Sequence, residues 1–423
     1  MKTRLDINIL SETGQLRSVI LHTPGPEVEN MTPQNAERAL YSDILNLAIV
    51  SEEYAQLEGI LKRYAEVFQV KDLLRETLEN EKIKHNFVKR VCMHENTPHL
   101  EPRLMQMSAE ELTRVMFEGV EMEKNTLTRF LDKERYEIRP LHNFFFTRDS
   151  AICIGSQVLI GRMANQVRVR EAMIMETIYA FHPGFETQII NCSSSMHNTQ
   201  DITFEGGDIL VARPDTLIIG MGVRTTSKGI DYIMECLRSK PRIKHILVQE
   251  LPHKPESFIH LDMVFTLLSP NECMIYEPVV LNENRYATIH IEIENGKVKR
   301  ICEEHNLLTA LAKLGMELEP ILCGGEGDLY TMEREQWHSG TNFFALAPGK
   351  IVGYHRNTYT LEALARKGYE IIKARDVLNH QINPEEYSKY VITIEGSELP
   401  RGGGGARCMT QPLFRENPEE NNS

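Results

Sequence analysis

Four short segments, far apart along the chain, carry groups that could perform covalent chemistry. Cys408 closes the run Arg401-Gly-Gly-Gly-Gly-Ala-Arg407-Cys408. Consecutive glycines are conformationally costly unless tight turns or close backbone approach require them, and such a loop can hold a reactive thiol. The same run also reads as a connector before the polar tail from Glu416 to Ser423. His260-Leu-Asp262 reads as part of a strand, where the two-residue period puts both side chains on one face, toward a site or toward solvent. Glu205-Gly-Gly-Asp208 separates Ile202 to Phe204 from Ile209 to Ala212, as a hairpin turn would, or as a place where Glu205 turns inward to fix a histidine tautomer. Phe144-Phe-Phe-Thr-Arg-Asp149 sets three aromatics before a charged pair. If Asp149 faces inward rather than into a surface turn, it needs a cationic partner.

Taken together these segments supply a nucleophile, an acid/base, an orienting carboxylate and two spare carboxylates. A guanidinium fits that set: it is planar, permanently charged and matched by carboxylates, so two aspartates can grip it while a thiolate approaches its central carbon. Metal chemistry is not indicated, because the eight cysteines include no C-x-x-C pair and no Cys/His cluster at zinc-site spacing. Most of those cysteines are expected to be small core residues.

The elements that must position these groups alternate short β-rich runs with single helices. Five units can be drawn: Ser18 to Gly25, Asn143 to Ile190, Thr203 to Glu250, His260 to about Cys323, and Asn342 to the glycine-rich stretch. Units two to four share a hairpin, a helix (Arg170 to Phe181, Ser227 to Ser239, Arg300 to Leu314) and a closing strand. The chemistry recurs at strand-to-turn junctions, so units surrounding an axis would gather Asp149, Glu205, Asp208, His260, Asp262 and Cys408 at its mouth. Between the first two units lies a helical stretch, beginning near Asp72 after a possible strand at Val67 to Val70.

Composition narrows the partners. Lys+Arg 47 against Asp+Glu 60 gives a net charge of −13 without a basic block, which argues against nucleic acid. No apolar run is long enough for a membrane span, and Met1 to Thr13 lacks a secretory apolar core, so a cytoplasmic protein is expected. The sequence leaves assembly open, including a homo-oligomer.

The motifs F-T-R-D at Phe146 to Asp149, E-G-G-D at Glu205 to Asp208, H-L-D at His260 to Asp262 and G-G-G-x-x-C-M around Cys408 resemble, in order and spacing, those of arginine deiminases. The resemblance extends to Leu16 to Gly25, Val167-Arg-Val-Arg-Glu171, Gly222-Val-Arg-Thr-Thr226 and Ala347-Pro-Gly349, and so spans nearly the whole chain. It implies an α/β pentein propeller of five modules with pseudo-fivefold symmetry. Residues 1–70 would form the first module, 71–138 a helical insertion, 139–415 the other four modules and 416–423 a tail. It further implies cofactor-free hydrolysis of L-arginine by water to citrulline and ammonia. Cys408 would be the nucleophile, His260 the proton donor and later base, Glu205 its partner, and Asp149 and Asp262 the guanidinium grip. Arg168 and Arg224 would hold the α-carboxylate, Asn143 and Phe146 would line the pocket, and Asp208, Arg401 and Arg407 are further candidates for substrate contact. Agmatine or peptidyl-arginine deimination, amidine transfer, citrulline hydrolysis and a non-catalytic binding role are the alternatives on the same fold. Asn46 departs from the family pattern, standing where an aromatic is expected after Tyr41-Ser-Asp43.

Overall fold

The computed structural model describes residues 4–32, 41, 43–190, 201–237 and 242–417; Cys192 and most of the expected tail, 418–423, lie outside them. Five principal sheets are built on one plan, an antiparallel pair extended by a parallel strand, and in four of them the pair is a hairpin. In the second sheet Ala151–Ile154 pairs antiparallel with Gln157–Ile160, which pairs parallel with Gln188–Ile190. The third joins Ile209–Arg213, Thr216–Met221 and His245–Glu250 in the same way, the fourth joins Phe265–Ser269, Glu272–Ile275 and Glu319–Leu322, and the fifth joins Phe344–Ala347, Lys350–Tyr354 and Tyr390–Ile394. A parallel closing strand needs a crossover, and each is made through a helix whose apolar side is buried: Val169–Phe181, Ser227–Leu237, Leu307–Lys313 and Thr358–Arg366.

The first sheet is completed from the other end of the chain. Leu16–Leu21 pairs parallel with Glu66–Gln69 after the helix Leu47–Tyr64, and antiparallel with Gln411–Arg415. Residues 411–415 therefore belong to the first sheet and not to the last unit, and this return anchors the segment that carries Cys408. Asn46 caps the helix Leu47–Tyr64, its side-chain oxygen accepting from the backbone N–H of Ala48 and Ile49. An aromatic there would forfeit that cap.

Neighbouring sheets touch in sequence order. Gln411 donates to Cys153 Sγ between the first and second, Arg162 and Phe204 bridge the second to the third, Leu261 N–H donates to Asp208 between the third and fourth, Gly349 N–H donates to Leu268 between the fourth and fifth, and Phe344 packs under the Arg415 guanidinium between the fifth and first. The helical stretch comprises Val70–Leu78, Glu81–His94, Glu101–Met105, Ala109–Glu118 and Leu127–Leu131. It has no core of its own: Leu74, Val88 and Phe117 belong to one apolar cluster with Ile152, Ile174 and Ile219 of the second and third sheets. Among the described residues, no helix is long and apolar enough to cross a membrane.

Two local expectations need correction. Arg300 to Leu314 is not one helix: Arg300 lies in the strand Lys297–Glu304, and the helix is only Leu307–Lys313. The strand pairs with Thr288–Glu294 across Asn295 and Gly296, both at positive φ (51° and 73°), as a two-residue hairpin turn requires, and this hairpin adds onto His245–Glu250 of the third sheet. His260 and Asp262 also do not share a strand. His260 is extended, but Leu261–Met263 forms a 3-10 turn, held by Leu261 N–H on Asp208 and Met263 N–H on the His260 carbonyl.

Deleting Gln411–Arg415 would leave Leu16–Leu21 with a bare edge and remove the buried Leu413 and Arg415. A chain ending at Thr410 is expected to lose its cooperative transition in scanning calorimetry.

Candidate active site

The chemistry-bearing residues share one station: each lies in a turn just before the first strand of a hairpin or, for Cys408, before the returning strand. Asp149 precedes Ala151, Asp208 precedes Ile209, Asp262 precedes Phe265 and Cys408 precedes Gln411. The fifth sheet supplies Asn342, before Phe344, which motif reading overlooked although its unit was drawn from that residue. Asn342 Nδ2 donates to Cys408 Sγ (3.1 Å) and to the Asp262 carbonyl (3.2 Å), while its Oδ1 accepts from the N–H of Arg407 (2.9 Å) and Cys408 (3.2 Å). One amide side chain thus fixes both backbone and sulfur at the nucleophile.

Cys408, His260, Glu205, Asp149 and Asp262 are all buried, linked through Cys408 on Asp262, His260 on Glu205 and Asp149, and the charge of Asp149 acting on the thiol. Cys408 Sγ donates to Asp262 Oδ2 at 3.5 Å. Burial, then the charges of Asp262 and Asp149, push its thiol well above the ordinary cysteine range. His260 Nε2 meets Glu205 Oε2 at 2.9 Å, and Nδ1 lies 3.6 Å from Asp149 Oδ1. Burial lowers the imidazole pKa, but Asp149, Glu205 and Asp208 outweigh it and lift it to about 9. Near neutral pH the unliganded pair is therefore imidazolium and thiol, not imidazole and thiolate. The His260 ring lies so close to the third sheet that a Cβ on Gly207 would come within 2.5 Å of Nδ1.

The carboxylates are compensated by arginines. Glu205 accepts from Ala164 N–H at 3.0 Å and faces Arg224 Nη1 at 3.5 Å and Arg168 Nη1 at 3.8 Å. Burial alone would raise its pKa, but Arg224, His260 and Arg168 hold it below the usual carboxylate range. Arg168 donates to Asp149 Oδ2 at 2.7 Å, Glu171 Oε2 at 2.8 Å and the Phe146 carbonyl at 3.2 Å. Its donors are thus engaged by protein, unlike those of a side chain waiting for a substrate carboxylate. Arg224 Nη1 is buried without a hydrogen-bond partner beyond its ion pair. Asp149, Glu205 and His260 also present ligand atoms within 4.8 Å of one another, but the Arg168 guanidinium beside them opposes a cation there.

Three further candidates for substrate contact have protein partners here. Both Asp208 oxygens are consumed, accepting from Thr225 Oγ1 (2.6 Å) and Leu261 N–H (2.9 Å), so this carboxylate braces the His260 turn. Arg407 points inward, donating to Asp262 Oδ2 (2.8 Å), Glu12 Oε2 (3.0 Å) and the Ile209 carbonyl (3.0 Å), which makes it the counter-charge of Asp262. Glu12, also overlooked in the sequence, is held at about 2: burial would raise it, but Arg407 and Arg148 prevail. Arg401 is half-exposed and pairs with Asp43 at 2.8 Å, on the outer side of the glycine loop. Within that loop Gly403 sits at φ +84°, and a Cβ on Gly404 would lie 2.5 Å from the Phe146 ring. Phe146 thus packs beneath the loop. Asn143 is buried one turn away, accepting from Phe146 N–H and lining a cavity of about 670 Å³ with Asn30, Arg139 and Arg170.

The fold is the mixed α/β pentein fold, seen in guanidine-handling proteins of solved structure. The N-terminal domain of ArgZ, an arginine dihydrolase from Cyanobacteria, superposes with a TM-score of 0.53 at 15% identity, covering 95% of this chain and 98% of that one. A dimethylarginine dimethylaminohydrolase adduct with S-methyl-L-thiocitrulline superposes at 0.50 and 15% identity, covering 94% and 100%. The sequence is more specific: the arginine deiminase family model matches residues 37–415. An arginine deiminase of Listeria monocytogenes serotype 4b (strain CLIP80459) is 33% identical across 99% of this chain and 100% of its own. One of Bacillus cereus (strain ATCC 10987 / NRS 248) is 34% identical across 97% and 98%. The chain belongs to the arginine deiminase family.

A thiol held protonated by Asp262 and Asp149 should ionise when a cation enters between them. Titrating alkylation of Cys408 with and without a non-reactive guanidinium is expected to show the apparent thiol pKa fall by about one unit or more on binding. An unchanged pKa would remove substrate-assisted ionisation.

Proposed function

We propose that this protein hydrolyses free L-arginine to L-citrulline and ammonia through a covalent intermediate on Cys408. The observation that carries this reading is the buried Cys408 thiol on Asp262, reached also by the charge of Asp149, which in turn lies beside the buried His260. A buried carboxylate pair beside a thiol suits a ligand that brings its own positive charge.

In the unliganded protein the Arg168 guanidinium occupies Asp149. We read Arg168 as a placeholder: the substrate guanidinium takes over Asp149 and Asp262, and Arg168, still held by Glu171, turns the Nη1 released from Asp149 together with Arg224 toward the substrate α-carboxylate. The added charge drives the Cys408 proton off, and the thiolate adds to the guanidinium carbon. His260 gives its proton to the departing amino group, which leaves as ammonia, and an S-alkylthiouronium remains on Cys408. Neutral His260 then takes a proton from water, whose oxygen adds to the same carbon. The C–S bond breaks, the hydroxyl proton of the adduct passes to the Cys408 sulfur, and citrulline departs with the thiol and imidazolium restored. Glu205 keeps the imidazole oriented throughout, and no cofactor takes part.

The succession of five similar sheets, each touching the next and the fifth touching the first, supports a five-module propeller. Residues 1–70 with 411–415 form its first module, 71–138 an insertion and most of 139–410 the other four. Free thiols at Cys92, Cys153, Cys236, Cys273, Cys302, Cys323 and Cys408 suit a reducing, cytoplasmic setting.

Incubated with arginine, agmatine, a blocked arginyl peptide and citrulline, the protein is expected to turn over arginine best. Loss of charge-assisted contacts to the α-carboxylate should cost agmatine roughly 10–100-fold in kcat/KM. Cys408→Ala should abolish ureido product while leaving the melting transition in place; surviving turnover would exclude the nucleophile. Because His260 must enter the cycle protonated, kcat/KM should decline as pH rises through about 9. Glu205→Gln removes one charge that raises this pKa, so the alkaline limb should move to lower pH by about one unit. A limb that stays in place would mean that His260 does not govern it.

A further inference from the structure

On the outer hairpin of the third sheet, far in sequence from the catalytic turns, His290 and Cys302 are directly paired across neighbouring strands. Glu304 stands two residues beyond Cys302 on the same face. An imidazole nitrogen, the thiol sulfur and a carboxylate oxygen of these residues all lie within 4.8 Å of one another. His290 Nδ1 and Cys302 Sγ each stand 3.8 Å from Glu304 Oε1. Tetrahedral zinc, with bonds of about 2.0–2.3 Å, separates its ligand atoms by about 3.6 Å, so two of the three edges are nearly preformed.

Second partners fix the donors, and Lys313 on Glu304 and the nearby Arg300 are the positive charges a divalent ion must outweigh. His290 Nε2 is engaged by His245 Nδ1 at 3.1 Å from the adjacent strand. Donation from Nε2 leaves Nδ1 with its lone pair toward Cys302 and Glu304, the arrangement by which an outer partner fixes the tautomer of a liganding histidine. Glu304 Oε2 is tied to Lys313 of the helix behind, which turns Oε1 toward the cluster. The His290 and Glu304 side chains are only 16% and 7% exposed, and Cys302 is half-buried.

We infer that His290, Cys302 and Glu304 form a binding site for a borderline divalent cation, with Zn(II) the best match to one nitrogen, one sulfur and one oxygen donor. Water completes the fourth position. Binding forms the N–metal, S–metal and O–metal bonds and releases the Cys302 thiol proton to solvent, with no change of oxidation state. The site ties together the two strands of the Asn295-Gly296 hairpin and acts apart from arginine turnover. It escapes sequence inspection because sheet register, and not a short spacing, brings the donors together.

Cobalt(II) reports such a site directly. Titrated into the reduced full-length protein, it is expected to give a near-ultraviolet thiolate-to-cobalt band and the visible bands of a tetrahedral ion, saturating at one equivalent and bleached by Zn(II). Cys302→Ser should remove the charge-transfer band. His290→Gln, which keeps the thiol, should weaken binding at least tenfold, and circular dichroism should show both variants folded. Zn(II) should raise the melting temperature of the parent and not of either variant. If Cys302→Ser does not fold, the His290→Gln titration decides. Absence of tetrahedral bands in the parent, a thiolate band that survives Cys302→Ser, or unchanged affinity in His290→Gln overturns the inference.

Discussion

Burying several carboxylates around one sulfur, with Asp149, Glu205 and Asp262 almost without solvent, is unfavourable unless each finds a positive partner. Arg168 serves Asp149, Arg224 and His260 serve Glu205, and Arg407 serves Asp262. The balance sets the chemistry as well as the stability, because Asp149, one of the charges that lift His260 to about 9, also joins burial and Asp262 in keeping Cys408 protonated. A cationic ligand fits such a site by taking the place of a protein cation.

The fold meets this constraint by delivering Asp149, Glu205, His260, Asp262 and Cys408 from turns that lead into strands. Turns can aim a side chain without breaking a ladder of backbone hydrogen bonds, while the strands behind them hold position. Asp208 braces the His260 turn, Asn342 braces the Cys408 turn, and Glu12 holds Arg407 against Asp262. The glycine loop contributes through close approach more than through freedom: Gly404 admits Phe146, and Gly403 supplies the left-handed turn. On the N-terminal side of that loop, Glu53 of the helix Leu47–Tyr64 accepts from the N–H groups of Ser397, Glu398 and Leu399, tying the approach to Cys408 to the first module.

The sequence made the reactive side chains legible because their types are chemically unusual in combination, and it made the repeated plan legible because hairpin, helix and strand alternate with clear periods. It hid the supports. Asn342 and Glu12 have no distinctive local pattern and acquire their role only when sheets distant in sequence meet. Arg407 and Asp208 looked like substrate contacts since charge beside a nucleophile is ambiguous until its partners are seen. The strand assigned to His260 and Asp262 failed because Asp208 captures the Leu261 N–H and folds the segment into a turn. The Asn295-Gly296 hairpin was readable from its alternating Ile289, Ile291 and Ile293, but the helical pattern that follows was extended back over it.

The protonation state of His260 in the resting protein carries the account. Nitrogen-15 spectra of the histidine rings, recorded on unliganded protein from neutral to alkaline pH and assigned by His260→Gln, measure it directly. Imidazolium shifts that persist past neutrality and titrate near 9 are the result required. A ring already neutral at pH of about 7, close to the unperturbed histidine value, would contradict the resting imidazolium and thiol pair.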